Sequence, residues 1–249
     1  MKLQNETHMT TKRGKDACEA GEGKARAETR HGRWYEDACG GSLALELIGE
    51  RWSLLIVREM LLGPRRFNEL RAALPTLSAK VLTERLGSLE ISGIVRRTKL
   101  APPASVQVYG LTEWGHGLEP VLLELVRWGL RSPGHDPALA FTPVSLMLSL
   151  RALFDRPRAG DLSLLAAFDI GDQKFAAQLR QGELEVRSAG EGAIEPDLRF
   201  SAATASDFLP VFYGKRSVEE AGGKLAIDGN PTTAARFIDL FALPAKFRV

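Results

Sequence analysis

At Gly93 the chain changes its hydrophobic period, and that change limits the fold more than any other feature. Upstream, Leu82, Leu86 and Leu89 fall on one helical face, with Ser78 placed to cap the helix and Gly93 to end it in a left-handed turn. Downstream, IVRRTKL and SVQVYGL are β-branched runs joined by Ala101-Pro102-Pro103-Ala104. They read as a basic hairpin whose proline tip stays out of the ladder.

Helical patterns flank this junction. Leu43, Leu47 and Ile48 recur at helical spacing, and Trp52 to Leu62 is apolar at eight of eleven positions, as in a buried helix that Gly63-Pro64 stops. Asn68 reads as the N-cap of a helix with Leu70 and Leu74 four apart, ended by Pro75. After the hairpin, Thr112 reads as the cap of one helix through Leu118, Val121, Leu122, Leu125 and Trp128, closed by Ser132-Pro133-Gly134. Helix, tight capped turn, helix and basic hairpin form the plan of a winged helix-turn-helix, expected over residues 35–133.

Charge agrees with that plan. Residues 64–99 hold eight Lys/Arg against three acids, although the whole chain carries only +2. A basic run is in itself only a solvated surface. Here it lies on a helix whose outer face lacks apolar bulk, as entry into a major groove requires. The expected partner is double-stranded DNA, with Lys80 and Thr83 reading base edges beside the small Ala79 and Gly87. Ser78, Arg65, Arg66, Arg97 and Lys99 are expected to meet phosphates.

The segment CGGSLALELIGERWSLLIVREMLLGPRRFNELRAALPTLSAKVLTERLGSLEISGIVRRT, followed by VYGLTEWGHGLEPVLLELVRWG, resembles the HxlR family of bacterial winged-helix regulators. The resemblance covers about residues 36–130 and rests on GPRRFNEL, LSAKVLTERL, YGLTEWG and a cysteine ahead of IGERW. It implies a transcriptional regulator that is a homodimer, built from the first and last helices of this domain, on a near-palindromic operator with reading helices about 34 Å apart. Leu118, Val121, Leu122, Leu125 and Trp128 are the matching apolar ridge, which packing within one chain explains equally. The resemblance also makes Cys39 a candidate redox or electrophile sensor. The family's usual Cys-Pro-Val is Cys-Gly-Gly here, and an inert thiol is the alternative.

Residues 134–249 alternate differently. A helix near Pro143 to Phe154 precedes strands near Leu162 to Ile170, Lys174 to Leu179, Leu184 to Arg187 and Leu198 to Ala202, with Gln181-Gly182 as a hairpin turn. Helices near Ala205 to Tyr213 and Pro231 to Ala242 flank a strand at Leu225 to Ile227. The fold class is thus a mainly α winged helix-turn-helix followed by an α+β domain with a largely antiparallel sheet and flanking helices. PDLRFSAATASDFLPVFYGKRSVEEAGGKLAIDGNPTTAARFIDLFAL resembles the C-terminal part of sterol-carrier-protein-like domains. That resemblance implies a cavity lined by Phe208, Phe212, Phe237, Leu240 and Phe241 for a small apolar or lipid-like effector. A packed core, a second dimer contact or a scaffold role would use the same residues.

Other classes find little support. The 44% hydrophobic and 26% charged residues describe a globular protein. No apolar run is long enough to span a membrane and the start holds no signal-peptide core, so a cytoplasmic protein without membrane insertion is expected. Residues 1–34, with 8 basic and 5 acidic side chains and little apolar bulk, read as a flexible basic arm. Two cysteines, Cys18 and Cys39, build neither a disulfide framework nor a zinc site. AGEGKA at 20–25 is no phosphate loop, and GxGxxG, HExxH and GxSxG are missing, so no catalytic residue, metal or cofactor is expected. The competing class is a lipid-binding scaffold whose winged helix mediates protein contacts.

Overall fold

The computed structural model describes residues 35–100, 106–190 and 195–248. The basic arm expected at 1–34 and the hairpin tip at 101–104 lie outside the described residues.

Helices α1 (Gly40–Ile48) and α2 (Ser53–Met60) open the first half. Ile56, Val57 and Met60 make α2 the buried centre of this half. It begins at Ser53 because Trp52 is left-handed, at φ 82°. That conformation costs a bulky residue about 1 to 3 kcal/mol and turns the chain sharply between the two helices. The Arg51 guanidinium lies over the Trp52 ring, 5.3 Å from its centroid.

Helix α3 (Phe67–Ala73) starts ahead of the cap expected at Asn68. The reason is Glu69, whose carboxylate accepts the Arg66 N–H at 2.7 Å and places the cap at position 66. Helix α4 (Ala79–Ile91) begins as its spacing requires, with Ser78 Oγ accepting the Val81 N–H at 3.3 Å, and Gly93 follows it at φ 69°. Strands β1 (Val95–Lys99) and β2 (Gln107–Leu111) pair antiparallel, Val95 opposite Leu111.

The one helix expected from Thr112 is two, α5 (Glu113–His116) and α6 (Glu119–Leu130). Pro120 has no N–H to give the His116 carbonyl, so the helix breaks and the proline enters the first turn of α6. Thr112 does cap, accepting from the Gly115 N–H at 3.0 Å and donating to the Gly93 carbonyl at 2.7 Å.

The second half begins with α7 (Pro143–Leu153) and the short α8 (Arg156–Ala159). Five strands follow: β3 (Leu164–Ile170), β4 (Gln173–Arg180), β5 (Glu183–Ser188), β6 (Leu198–Ala202) and β7 (Ala226–Gly229), in the order β5-β4-β3-β6-β7. The sheet is mixed: β3 and β6 run parallel, and the other neighbours antiparallel. Gln181 and Gly182 are both left-handed, at φ 53° and 71°, the two-residue turn that suits strand twist.

Between β6 and β7 the chain makes a 3-10 turn (Ala205–Phe208) and then α9 (Leu209–Phe212), because Pro210 cannot donate to Ser206. The last helix, α10 (Pro231–Ile238), stops short of Ala242, and Phe241 forms a β-bridge with Phe154 instead. Helix α7 is buried on nearly all sides through Val144, Leu146, Met147, Leu148, Leu150 and Leu153, packing on α2, α6 and β5. One apolar cluster therefore runs through both halves.

Candidate nucleic-acid interface

Leu70, Leu74, Leu77, Leu82, Leu86 and Leu89 lock α3 and α4 together from the inside. What α4 leaves exposed over its first two turns is polar or small, and Ile91 at its far end is exposed as well. The Lys80 side chain is 86% exposed and lies 4.0 Å from Glu84, one turn on. Thr83 is exposed, and its hydroxyl donates to the Ala79 carbonyl at 2.9 Å, so it offers outward a methyl group and an acceptor oxygen. Ser78 is exposed at the helix start, and a Cβ at Gly87 would meet nothing within 4 Å.

The wing continues this surface. In β1 only Val95 is buried, while Arg96, Arg97, Thr98 and Lys99 are exposed. Strand alternation puts Arg97 and Lys99 on one face, opposite Tyr109 and Gln107. Arg96 projects from the other face, a cation that strand alternation itself would have exposed to view. Among the described residues, none of the three forms an ion pair.

Arg65 and Arg66, adjacent in sequence, part company. Arg66 is exposed at the start of α3, 4.0 Å from Glu69. Arg65 is half-buried, with its backbone exchanging two 2.8 Å hydrogen bonds with Tyr109 of β2. Its guanidinium donates to the Glu59 carbonyl at 3.2 Å and to Gln173 Oε1 at 3.0 Å. Sequence reasoning had no signal for a partner so distant along the chain.

That contact belongs to a seam of polar joints between the halves. Ser188 Oγ donates to the Leu62 carbonyl at 2.6 Å, and Arg127 Nε to the Ala152 carbonyl at 2.6 Å. Arg151 pairs with Glu119, and burial of its guanidinium lowers its pKa. Glu59, 2% exposed, takes hydrogen bonds from Arg58 and from the Thr142 hydroxyl.

The expected dimer ridge divides. Leu122 is buried in the chain's own core and Leu118 packs partly against it, while Val121, Leu125 and Trp128 stay exposed, Trp128 at 76%. Leu43 and Leu45 of α1 are exposed as well.

Cys39 is an exposed free thiol at the N-cap of α1. Its N–H donates to Asp37 Oδ1 at 3.0 Å. The Ser42 hydroxyl and that N–H hold the Asp37 carboxyl below its usual range.

Phe208, Phe212, Phe237 and Phe241 have no measurable exposure, and Leu240 is 2% exposed. Their rings touch one another and those of Phe168 and Phe200, with centroids between 5.1 and 6.5 Å apart. They form a filled aromatic core rather than the walls of an open cavity. Among the described residues no group of three His, Cys, Asp or Glu is placed to hold a metal, and no helix is long and apolar enough to cross a membrane.

Comparison with known proteins centres on the first half. The family model of the HxlR-like helix-turn-helix matches residues 47–135. The HTH-type transcriptional regulator YvaP of Bacillus subtilis (strain 168) is 44% identical over 86 residues, which are 34% of this chain and 79% of the relative. YodB, an HTH-type transcriptional regulator of the same organism, is 40% identical over 85 residues, 34% of this chain and 76% of the relative. The reduced form of YodB, a solved structure, is 35% identical and aligns over 40% of this chain and 100% of its own, with a TM-score of 0.36. With its capped α3–α4 turn and its β1–β2 hairpin in place, the chain belongs to the HxlR-like helix-turn-helix family.

Proposed function

We propose that this protein is a bacterial transcriptional regulator whose residues 35–133 bind duplex DNA, α4 entering the major groove and the β1–β2 wing lying on the backbone. One observation carries the reading: the first turns of α4 expose Ala79, Lys80, Thr83 and Glu84 with no large apolar side chain among them, beside a strand that exposes Arg96, Arg97 and Lys99 together. The similarity to YvaP and YodB, each named as an HTH-type transcriptional regulator, supports it. Lys80 and Thr83 face base edges, and Ser78, Arg66, Arg97 and Lys99 face phosphates. Two copies meet through the exposed Val121, Leu125 and Trp128 together with Leu43 and Leu45, setting two reading helices about 34 Å apart on a near-palindromic operator. Such a protein works in the cytoplasm.

The second element of the proposal is that residues 134–249 form a sterol-carrier-like regulatory unit docked on the winged helix. An apolar effector would have to part the phenylalanine contacts, so uptake would change thermal stability. Fatty acids that leave the melting temperature unchanged would remove the effector from the proposal and leave a scaffold.

Binding of a fluorescent duplex measured against salt tests the DNA reading. The affinity should fall steeply with salt, and Arg97→Ala should flatten the log–log slope by about 0.9, the value of a single phosphate ion pair. Lys80→Ala should weaken binding as well. Binding that is absent, or indifferent to salt, overturns the reading and favours a winged helix that contacts protein.

A further inference from the structure

We propose that Gln173 is a latch on Arg65, so that the C-terminal sheet sets how many cations the winged helix offers to DNA. This rests on the DNA-binding reading and adds a control to it.

The position of Arg65 is the first reason. It stands at the seam between the helix-turn-helix and the wing, directly before Arg66 and α3, with its backbone pinned to Tyr109 by hydrogen bonds in both directions. Only its side chain is free to choose a direction. That side chain points toward β4, to a glutamine 108 residues away.

The chemistry of the hold is the second. Both acceptors, the Glu59 carbonyl and Gln173 Oε1, are neutral. The Glu59 carboxylate is already taken by Arg58, at 2.7 and 2.9 Å, and by Thr142 at 2.9 Å. Among the described residues no carboxylate pairs with Arg65. The contacts therefore aim the guanidinium without cancelling its charge, and release delivers a whole cation, suited to phosphate, to the surface that Arg66 already occupies.

A separate anchor makes release feasible. Ser188 Oγ holds the Leu62 carbonyl at 2.6 Å on the same connecting loop, so the sheet stays docked when Gln173 lets go. Gln173 itself is the first residue of β4, next to the Gly171–Asp172 turn and outside the apolar core.

The test is the slope of log affinity against log salt for a mixed-sequence duplex of about 30 base pairs, taken with the full chain. Wild type, Gln173→Ala, Gln173→Glu, Arg65→Ala, the Gln173→Ala/Arg65→Ala double variant and Arg97→Ala are compared. Gln173→Ala should steepen the slope by about 0.9, as one additional phosphate ion pair requires, and adding Arg65→Ala should return it to the wild-type value. Arg65→Ala alone should leave the slope unchanged. Gln173→Glu, which holds the guanidinium with a carboxylate, should keep the wild-type slope and serves as the correctly folded control. If Arg65→Ala alone flattens the slope, or Gln173→Ala does not steepen it while Arg97→Ala flattens it as expected, the latch is overturned and DNA binding stands. If no form binds duplex DNA in a salt-dependent way, both readings fall.

Discussion

The Thr142 hydroxyl donates to the Glu59 carboxylate at 2.9 Å, joining the cap of α7 to a buried charge on α2. The same oxygen accepts the Ser145 N–H at 3.0 Å, so one atom starts a helix and satisfies a carboxylate. Thr142→Val removes both interactions and should cost about 2 to 4 kcal/mol, combining a hydrogen bond to a charged group with a helix cap. Thr142→Ser should stay near wild type. Urea denaturation of the three proteins measures the difference.

At the reading helix, Ser78→Ala should lower stability by about 1 kcal/mol, the usual value of an N-cap at an exposed site. Thr83→Ala should leave stability almost unchanged, yet relax preference at one base position by roughly 1 to 3 kcal/mol. A panel of operators substituted base by base reads the second effect. Equal weakening on every sequence would move Thr83 from base reading to backbone contact.

In the proposed dimer, the apolar ridge of α6 separates assembly from folding. Trp128→Glu should shift the protein from dimer to monomer in sedimentation velocity and change the melting free energy by no more than about 0.5 kcal/mol, because the side chain is 76% exposed. Leu122→Ala, one helical face away, should cost about 2 to 5 kcal/mol of stability through the cavity it leaves. A dimer that survives Trp128→Glu would place the contact elsewhere.

Tyr213 gives a response to alkali. Burial raises its pKa, and the hydrogen bond with Ser149 offsets only part of the rise. The unfolded chain therefore loses the phenolic proton first. The Tyr213 contribution is intact below about pH 10, the ordinary tyrosine value, and is lost as pH rises beyond it. Guanidinium denaturation on either side of that pH should show wild type losing more stability than Tyr213→Phe.

Short-range chemistry was readable in the sequence. Ser78, Gly93 and the Gln181-Gly182 turn act within a few residues of themselves, and each is where its type requires. The break before α6 was written there too, since Pro120 interrupts an otherwise helical pattern. Other features were not readable because they depend on distant partners. Arg65 looks like any loop cation until Gln173 is brought beside it. Leu122 and Val121 share one ridge by spacing, and only the packing of α7 on α6 decides which of them faces inward. Phenylalanines at helical spacing describe a filled core and a ligand cavity equally well until their rings are seen to touch.

Helix α7 also bears on how the protein is made. Synthesis runs from the N-terminus, so the winged half leaves the ribosome before the segment Pro143–Leu153 does. Until then the Glu59 carboxylate lacks Thr142, Arg127 lacks the Ala152 carbonyl, and α2 and α6 present bare flanks to water. The nascent winged half is an unfinished body waiting for its keystone, and a ribosome that stalls with Pro143–Leu153 still inside it would hand an exposed apolar surface to the cell's chaperones.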